Sequence, residues 1–192
     1  MRKKVAIGAA IFLLVVLLGF QGVSYYVKYY NSAHIWGKII KQDGYSVKVN
    51  DESTPVEFFI HPEWLSLNKD HSRKINVKVA EAFNTSIILR EVTNQGKDFF
   101  FDFDTTYKLN DQRGQFLSNQ ILNGDGTVSS KSSPASSFEI FTVSGENINH
   151  GAYGRGPDSK FFFSVSSEDY DKFNHGFYVR YSGMMLYEYW KK

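Results

Sequence analysis

The feature that most constrains this chain is an apolar run near its start, Val5 to Phe20, which has sixteen residues and no charge. As a helix rising about 1.5 Å per residue, the run is about 24 Å long, shorter than the roughly 30 Å hydrocarbon core of a bilayer. Extension to Val27 closes this gap and places the tyrosines at 25, 26, 29 and 30 at a membrane interface. The pattern predicts an N-terminal transmembrane anchor.

A cleaved secretory signal is the alternative interpretation of the same run. Arg2 to Lys4 would then be its basic start, and Gly22-Val23-Ser24 would supply small residues for cleavage near Ser24. Three basic residues precede the run and only Lys28 closely follows it, which predicts a cytoplasmic N-terminus and an outside C-terminal domain. We therefore expect residues 1–30 to be a signal anchor or signal peptide, and residues 31–192 to be an extracytoplasmic domain.

The charge balance of the remaining chain argues against a nucleic-acid partner. The whole chain has 22 basic and 20 acidic residues, but four of the basic residues lie before residue 29 and none of the acidic ones does. The rest therefore carries 18 basic against 20 acidic residues, a net of −2. Nucleic-acid binding would require a basic stripe on the surface.

Cysteine is absent, which excludes disulfides, thiolate metal sites and a lipid-modified cysteine. About 160 residues remain after the anchor, enough for one domain with its own core. An exported domain of this kind depends on packing alone for its stability. The composition, rich in Lys, Asn, Tyr and Phe, is typical of a low-GC Gram-positive bacterium.

The domain is expected to be all-β. Short β-prone segments separated by turn residues predict about nine or ten strands packed as a β-sandwich. In the segment 99–107, residues Phe99, Phe101 and Phe103 alternate with Phe100, Asp102 and Asp104, which indicates one apolar face. Residues 31–70 are either extra strands or a small separate unit. The β-prone segments from which these strands are expected to form are 35–41, 45–49, 56–60, 75–79, 87–92, 99–107, 115–122, 138–143, 161–165, 177–181 and 184–190.

Two tracts between these segments are expected to be open loops. Residues 123–137 are rich in Gly, Ser and Pro, and residues 144–159 contain four glycines. Loops of this length in a compact domain are usually functional or disordered. A single helical turn is expected at Pro62, and a short helix over residues 167–173.

The pattern from about Ile75 to Tyr189 resembles the immunoglobulin-like accessory domains of Gram-positive membrane-anchored proteins and lipoproteins. The residues behind it are an alternating strand, the aromatic strand leading into Tyr107-Lys108-Leu109-Asn110-Asp111-Gln112-Arg113-Gly114, a long loop, and Tyr-rich closing strands. The resemblance implies an immunoglobulin-like sandwich with a binding or accessory role and no catalytic residue. The chain departs from the lipoprotein members because it lacks their anchoring cysteine.

Four aromatic residues are the candidate binding residues. In a strand, alternate side chains point to opposite faces, and each of these four points away from the inward-facing side chains of its strand. They are Phe100, Phe141, Phe162 and Tyr178. On a sandwich surface they would form an exposed aromatic patch that binds a protein or a sugar. The alternative is that loops or the strands of residues 35–67 cover them.

No motif points to catalysis, a metal or a cofactor. The five histidines, at 34, 61, 71, 150 and 175, are scattered without the close spacing of a zinc site, and no nucleophile motif of the G-x-S-x-G type occurs. We therefore expect a membrane-tethered binding module for a protein or cell-wall partner. The alternatives are a small envelope hydrolase with a His and carboxylate pair, and a module that binds peptidoglycan or another carbohydrate.

Overall fold

The computed structural model describes residues 2–65, 68–130 and 137–192, with side chains described from residue 12 onwards except at 28, 29 and 51. Strands make up the largest share of the described residues, and helices a smaller share. The helices are α1 (Arg2–Tyr30), α2 (Ser32–Ile40) and α3 (Tyr170–Phe173), and short 3₁₀ turns lie at Pro62–Trp64 and Ser167–Asp169. The strands are β1 (Tyr45–Ser53), β2 (Val56–Ile60), β3 (His71–Ala82), β4 (Thr85–Asn94), β5 (Asp98–Tyr107), β6 (Arg113–Ser118), β7 (Gln120–Leu122), β8 (Val128–Ser130), β9 (Phe138–Thr142), β10 (His150–Arg155), β11 (Phe161–Ser166), β12 (Phe177–Tyr181) and β13 (Met185–Lys191).

Three antiparallel sheets build the domain, and we name each of the two smaller ones after its central strand. The five-stranded sheet has the order β10-β11-β5-β4-β3, the β12 sheet has the order β2-β12-β9, and the β13 sheet has the order β1-β13-β6. Strands β7 and β8 form a separate pair. The segment 31–70 supplies β1 and β2, which pair with the late strands β13 and β12.

The main core lies between the five-stranded sheet and the β12 sheet. Alternation sends Phe101 and Phe103 of β5 inward, where both are buried. Their rings stack on those of Phe163 and Phe161 at 5.0 and 4.7 Å between centroids. From the β12 sheet, Phe177 meets Phe101 edge-on at 5.4 Å. A sandwich of two sheets therefore forms around stacked phenylalanines.

A second core lies between helix α2 and one face of the β13 sheet. Ile35 and Ile39 of α2 are fully buried, and they pack with Phe116, Tyr187 and Tyr189. The ring of Phe116 stacks on that of Tyr187 at 5.1 Å. Helix α2 is therefore part of the folded domain.

The prediction of a strand over residues 35–41 is wrong, because residues 35–40 belong to α2 and Lys41 is its C-cap. The side chain of Asn31 caps the helix by accepting hydrogen bonds from the backbone N–H groups of Ala33 at 3.0 Å and His34 at 3.2 Å. Ile35 and Ile39 stand four residues apart, so a helix places both on its buried face. The β propensity of isoleucine and tryptophan is outweighed here by the cap and by burial of that face.

Two further predictions need correction. The expected loop over residues 144–159 contains β10, which pairs with β11, and the expected loop over residues 123–137 contains β8, which pairs with β7. Residues 131–136, within the tract 123–137, lie outside the described residues. The described part of the chain has thirteen strands, more than the nine or ten expected. The unexpected strands β8 and β10 are short and rich in serine or glycine. They form because they pair with a neighbouring strand, and the pattern of a single segment does not reveal such pairing.

Helix α1 exposes apolar side chains on all sides. Phe12, Leu14, Leu17 and Phe20 are between 59% and 73% exposed. No single helix among the described residues has both the length and the apolarity needed to cross a membrane. Residues Phe12–Val27 and Ser32–Ile40 meet that test as a pair, with a bend of 49° between them.

A polar cluster of Tyr45, Asp111 and Lys191 closes one end of the β13 sheet. The Tyr45 hydroxyl lies 2.9 Å from Oδ1 of Asp111 and 3.0 Å from its backbone oxygen, and Nζ of Lys191 donates to Oδ2 at 2.6 Å. Burial raises the pKa of Asp111, but the hydrogen bonds from Lys191 and Tyr45 outweigh that effect, so its pKa lies below its usual value. Burial, followed by the contact with Asp111, raises the pKa of Tyr45. The ionised form of Asp111 therefore stabilises the fold.

We expect Asp111→Asn to lower the free energy of unfolding by about 1.5–3 kcal/mol at neutral pH, since it removes hydrogen bonds to a charged group. A carboxylate whose pKa is lowered by folding stabilises above its unfolded pKa of about 3.9 and loses that effect as the pH falls. The difference between variant and wild type should therefore shrink in acid, measured by urea unfolding of the full chain in mild detergent. Asp43→Asn is the control because Asp43 is exposed. A difference that stays constant down to the acid limit would contradict this role.

Candidate binding surfaces

The four predicted aromatic residues lie on the outward faces of two different sheets. Phe100 and Phe162 belong to β5 and β11 of the five-stranded sheet, whereas Phe141 and Tyr178 belong to β9 and β12 of the β12 sheet. Since these two sheets face each other across the main core, their outward faces point in opposite directions. The structure therefore brings the residues together as two pairs. Tyr178 is 52% exposed and the other three are half-buried.

The first pair lies on a charged surface. The ring of Phe162 packs over Gly154 on the neighbouring strand, where any side chain would collide with it. Beside Phe162 is a cleft of about 310 Å³, also lined by Glu91, Asp102 and Asp104. Burial, followed by repulsion from Glu91, raises the pKa of Asp102. The cleft mixes these acids with the basic side chains of Arg90 and Lys160, so Phe162 lies beside charged groups rather than in an apolar patch.

The second pair belongs to an aromatic surface on the β12 sheet. Phe59 of β2 joins it, because Phe59 and Phe141 both stand directly opposite Tyr178 in the strand register. The rings of Phe59 and Tyr178 lie 4.8 Å apart. Val143, directly after β9, is 59% exposed. We call Phe59, Phe141, Val143 and Tyr178 the aromatic face.

The aromatic face continues along the chain from β2. The ring of His61 meets that of Phe59 edge-on at 5.0 Å, and it meets that of Trp64 at 4.8 Å. The 3₁₀ turn at Pro62–Trp64 folds Trp64 back so that its ring is buried beside His61. His61 therefore packs between the exposed aromatic face and the buried ring of Trp64.

Charged side chains occupy the other end of the same outward face. Arg180 of β12 stands opposite Glu57 of β2 and Glu139 of β9 in register. Its guanidinium lies 3.5 Å from Glu57 and 3.6 Å from Glu139. All three side chains are largely exposed, so these ion pairs contribute little stability. Their arrangement gives the aromatic face a polar border with two acids and one base.

Sequence reasoning missed Phe59, although the signal was available. Phe59 stands at the parity opposite to Phe58 and Ile60, which are buried in the main core. This is the same pattern that singled out Phe100. What the sequence could not supply is the pairing of β2 with β12, which brings Phe59 beside Tyr178.

Two features among the described residues resemble parts of a hydrolase site, a histidine and carboxylate pair and a serine with positive φ. His61 and Glu63 form a histidine and carboxylate pair at 3.8 Å, but both are well exposed. Ser159 has the strained backbone of a nucleophile turn, with a φ of 57°, yet it is fully buried. Its Oγ lies 2.8 Å from Oγ of Ser118 and accepts a hydrogen bond from Tyr107 at 3.0 Å. Ser159 is therefore part of a buried hydrogen-bond network, where no substrate can reach it.

Comparison of the chain with family models, curated proteins and solved structures gave no match. The resemblance to immunoglobulin-like accessory domains stays a prediction.

Gly176 is the residue that lets Phe59 lie flat against the β12 sheet. A Cβ at this position would come within 2.4 Å of the Phe59 ring and 2.7 Å of the backbone oxygen of Ile60. Gly176 has a φ of 89°, and so does Gly145, where a Cβ would meet nothing within 4 Å. Both glycines therefore have the same left-handed backbone conformation, but only Gly176 has atoms so close that a Cβ would collide with them.

We expect Gly145→Ala to destabilise the domain by about 1–2 kcal/mol through the left-handed backbone alone. Gly176→Ala should cost a further 1–3 kcal/mol, roughly, because the ring and backbone beside it must shift. Urea unfolding of both variants measures the difference, and near-ultraviolet circular dichroism should report altered aromatic packing in Gly176→Ala only. Equal losses in the two variants would show that Phe59 is not packed on Gly176.

Proposed function

We propose that the protein is a membrane-tethered, extracytoplasmic binding module that docks a partner protein on its aromatic face and catalyses no reaction. The observation that carries the proposal is the combination of an apolar helix exposed on all sides with a folded domain that presents exposed aromatic side chains. An immunoglobulin-like classification of the sandwich is part of this proposal. A released form, cut near Ser24, is the alternative.

The bilayer is the partner of helix α1. A helix that is apolar all round must be buried in protein or lipid, because each large apolar side chain left in water forfeits about 1.5–3 kcal/mol. Leu13, Leu14, Leu17 and Leu18 are 59–60% exposed, so the domain does not cover them. Tyrosines then follow at the end of the helix, where an apolar ring and a wet hydroxyl suit the membrane interface.

Helix α2 fixes the domain to the anchor without a flexible linker. Only Asn31 separates α1 from α2. Oγ of Ser32 accepts a hydrogen bond from the backbone N–H of Leu109 at 3.1 Å, and two turns of α2 are buried against the β13 sheet. The domain is therefore held close to the membrane with a restricted range of orientations.

The aromatic face has the composition of a binding hot spot. Hot spots are enriched in tyrosine, tryptophan and arginine, surrounded by contacts that exclude water. Here Tyr178 stands at the centre, Phe59 and Phe141 flank it, and Arg180 follows on the same strand. The edge strands of the β12 sheet lie beside β3 and β10 of the other sheet, so the face rather than an edge is open to a partner.

The membrane tether is tested with a double variant, Leu14→Arg with Leu17→Arg, in the full chain. Each arginine costs about 2.5–3.5 kcal/mol at the centre of a spanning helix, so the variant should leave the membrane pellet after an alkaline wash. Wild type should stay there, with its domain open to protease added outside intact spheroplasts. Val77→Arg, on an exposed edge-strand residue, is the control and should fractionate as wild type. A mature N-terminus just after Ser24, in protein found in the medium, would contradict the tether.

The docking face is tested by placing a photo-crosslinking phenylalanine analogue at Tyr178 in cells. We expect a discrete cross-linked protein that is absent when the analogue replaces Tyr153, which is 37% exposed on β10. With that partner purified, Tyr178→Ala should weaken its binding at least about tenfold, equivalent to about 1.4 kcal/mol. No product from Tyr178, or the same product from both positions, would refute docking on the aromatic face.

A further inference from the structure

The β13 sheet has a second face, opposite helix α2, on which side chains form three rows across the strands. Residues that stand opposite each other in an antiparallel pair point to the same side of the sheet. The strand register therefore gives the rows Asn50–Leu186–Leu117, Lys48–Glu188–Gln115 and Ser46–Trp190–Arg113, from β1 through β13 to β6. The first row ends in the main core, where Leu117 is fully buried. The other two rows emerge from the core as an outward surface.

Two adjoining clefts follow these outward rows. One, of about 590 Å³, is lined by Arg113, Gln115, Glu188, Trp190 and Asn84. The other, of about 460 Å³, is lined by Lys48, Asn50, Leu186 and the same Glu188. Both volumes lie within the range of about 300–1,000 Å³ that small-molecule sites occupy. Glu188 lines both clefts, so they lie side by side across the three strands, and we call the two together the groove.

Asn84, at the tip of the β3–β4 hairpin, forms a fixed wall of the groove. Phe83 and Asn84 both have positive φ, at 49° and 57°, as a tight hairpin turn requires. The Asn84 side chain donates to the backbone oxygen of Gln115 at 3.1 Å, and its backbone oxygen accepts from the N–H of Lys108 at 2.8 Å. The hairpin is therefore held against β6, and the groove is formed before any ligand arrives.

The groove combines one exposed indole with a line of hydrogen-bonding side chains. Trp190 is 44% exposed. Glu188 accepts a hydrogen bond from Nε2 of Gln115 at 2.7 Å, which fixes both side chains. Lys48 stands opposite Glu188, and Arg113 stands opposite Trp190 in the next row, so the groove carries two basic groups and one acid. It offers both donors and acceptors and a single apolar surface.

We propose that this groove binds a linear glycan, with Trp190 packing against the apolar face of one sugar ring and Glu188 and Gln115 bonding to hydroxyl or acetamido groups of the next. A pyranose ring presents C–H groups on its faces and hydroxyls around its rim, which matches an aromatic side chain beside fixed polar groups. The elongated shape matches a chain of rings rather than one. This site lies on a different sheet from the aromatic face, and its occupation does not depend on the protein partner proposed above.

The chemistry of the groove fits other occupants less well. A docked protein segment or a lipid chain requires apolar pockets, whereas Trp190 and Leu186 are the apolar residues that line the two clefts from this second face. Val49 and Tyr189 also line the clefts, but their side chains pack in the second core. A strongly acidic polymer would face Glu188 at the centre of the groove. A neutral or weakly acidic glycan meets neither obstacle.

Tryptophan fluorescence of the full chain in mild detergent, titrated with chitotetraose, cellotetraose and maltotetraose, tests the proposal. Trp64 is buried and Trp36 is half-buried, so a saturable spectral change is expected from Trp190. The change should disappear in Trp190→Phe, which removes the indole that reports binding. By calorimetry, Trp190→Ala should bind at least about tenfold more weakly, and the isosteric Glu188→Gln several-fold more weakly. Tyr178→Ala, an exposed aromatic residue on the other sheet, is the matched control and should bind as wild type.

Circular dichroism and the thermal midpoint confirm that each variant is folded before its binding is compared. Absence of a saturable change and of heat with all three sugars would overturn the proposal. Equal binding by wild type and Trp190→Ala, or a loss in Tyr178→Ala matching that in Trp190→Ala, would also overturn it. The proposed protein partner would be unaffected by these results, because its test uses Tyr178.

Discussion

Strand β13 is the constraint on which the rest of the structure depends, because its two faces lie in two different cores. Tyr187 and Tyr189 point to helix α2, while Leu186 packs against the main core. The strand is also the centre of its sheet, between β1 near the start of the domain and β6 in its middle. Neither core is complete until β13 has paired with β1 and β6. Contacts between such distant parts of a chain close late and slowly in folding.

The second core explains how a domain without disulfides stays attached to helix α1, which it does not bury. Helix α2 covers the apolar face of the β13 sheet, and the same helix continues from the exposed α1 through one residue, Asn31. Packing of α2 therefore stabilises the domain and attaches the apolar helix in a single step. On the opposite face of the β13 sheet, the rows that contain Glu188 and Trp190 lie outside both cores, and these rows form the groove.

The sequence predicted the local faces of strands well and the pairing of strands poorly. The bounds of β12 and the buried face of β5 are confirmed, because alternation over five or more residues is a strong signal. Parity alone says which side of its own strand a residue occupies. It does not say which sheet that strand joins, so Phe100 and Tyr178 were placed together although they lie on opposite faces. The helix at Ile35 was missed for a similar reason, since isoleucine and tryptophan favour strands unless a cap such as Asn31 and a buried face decide otherwise.

Hydrogen exchange of the α2 backbone in the full chain tests most directly whether α2 joins the apolar helix α1 to the domain as a folded element. The amides of residues 36–40 should be protected as strongly as those of β13, because both elements open only when the second core opens. Exchange of these amides at rates typical of an unstructured linker, with β13 still protected, would contradict the account.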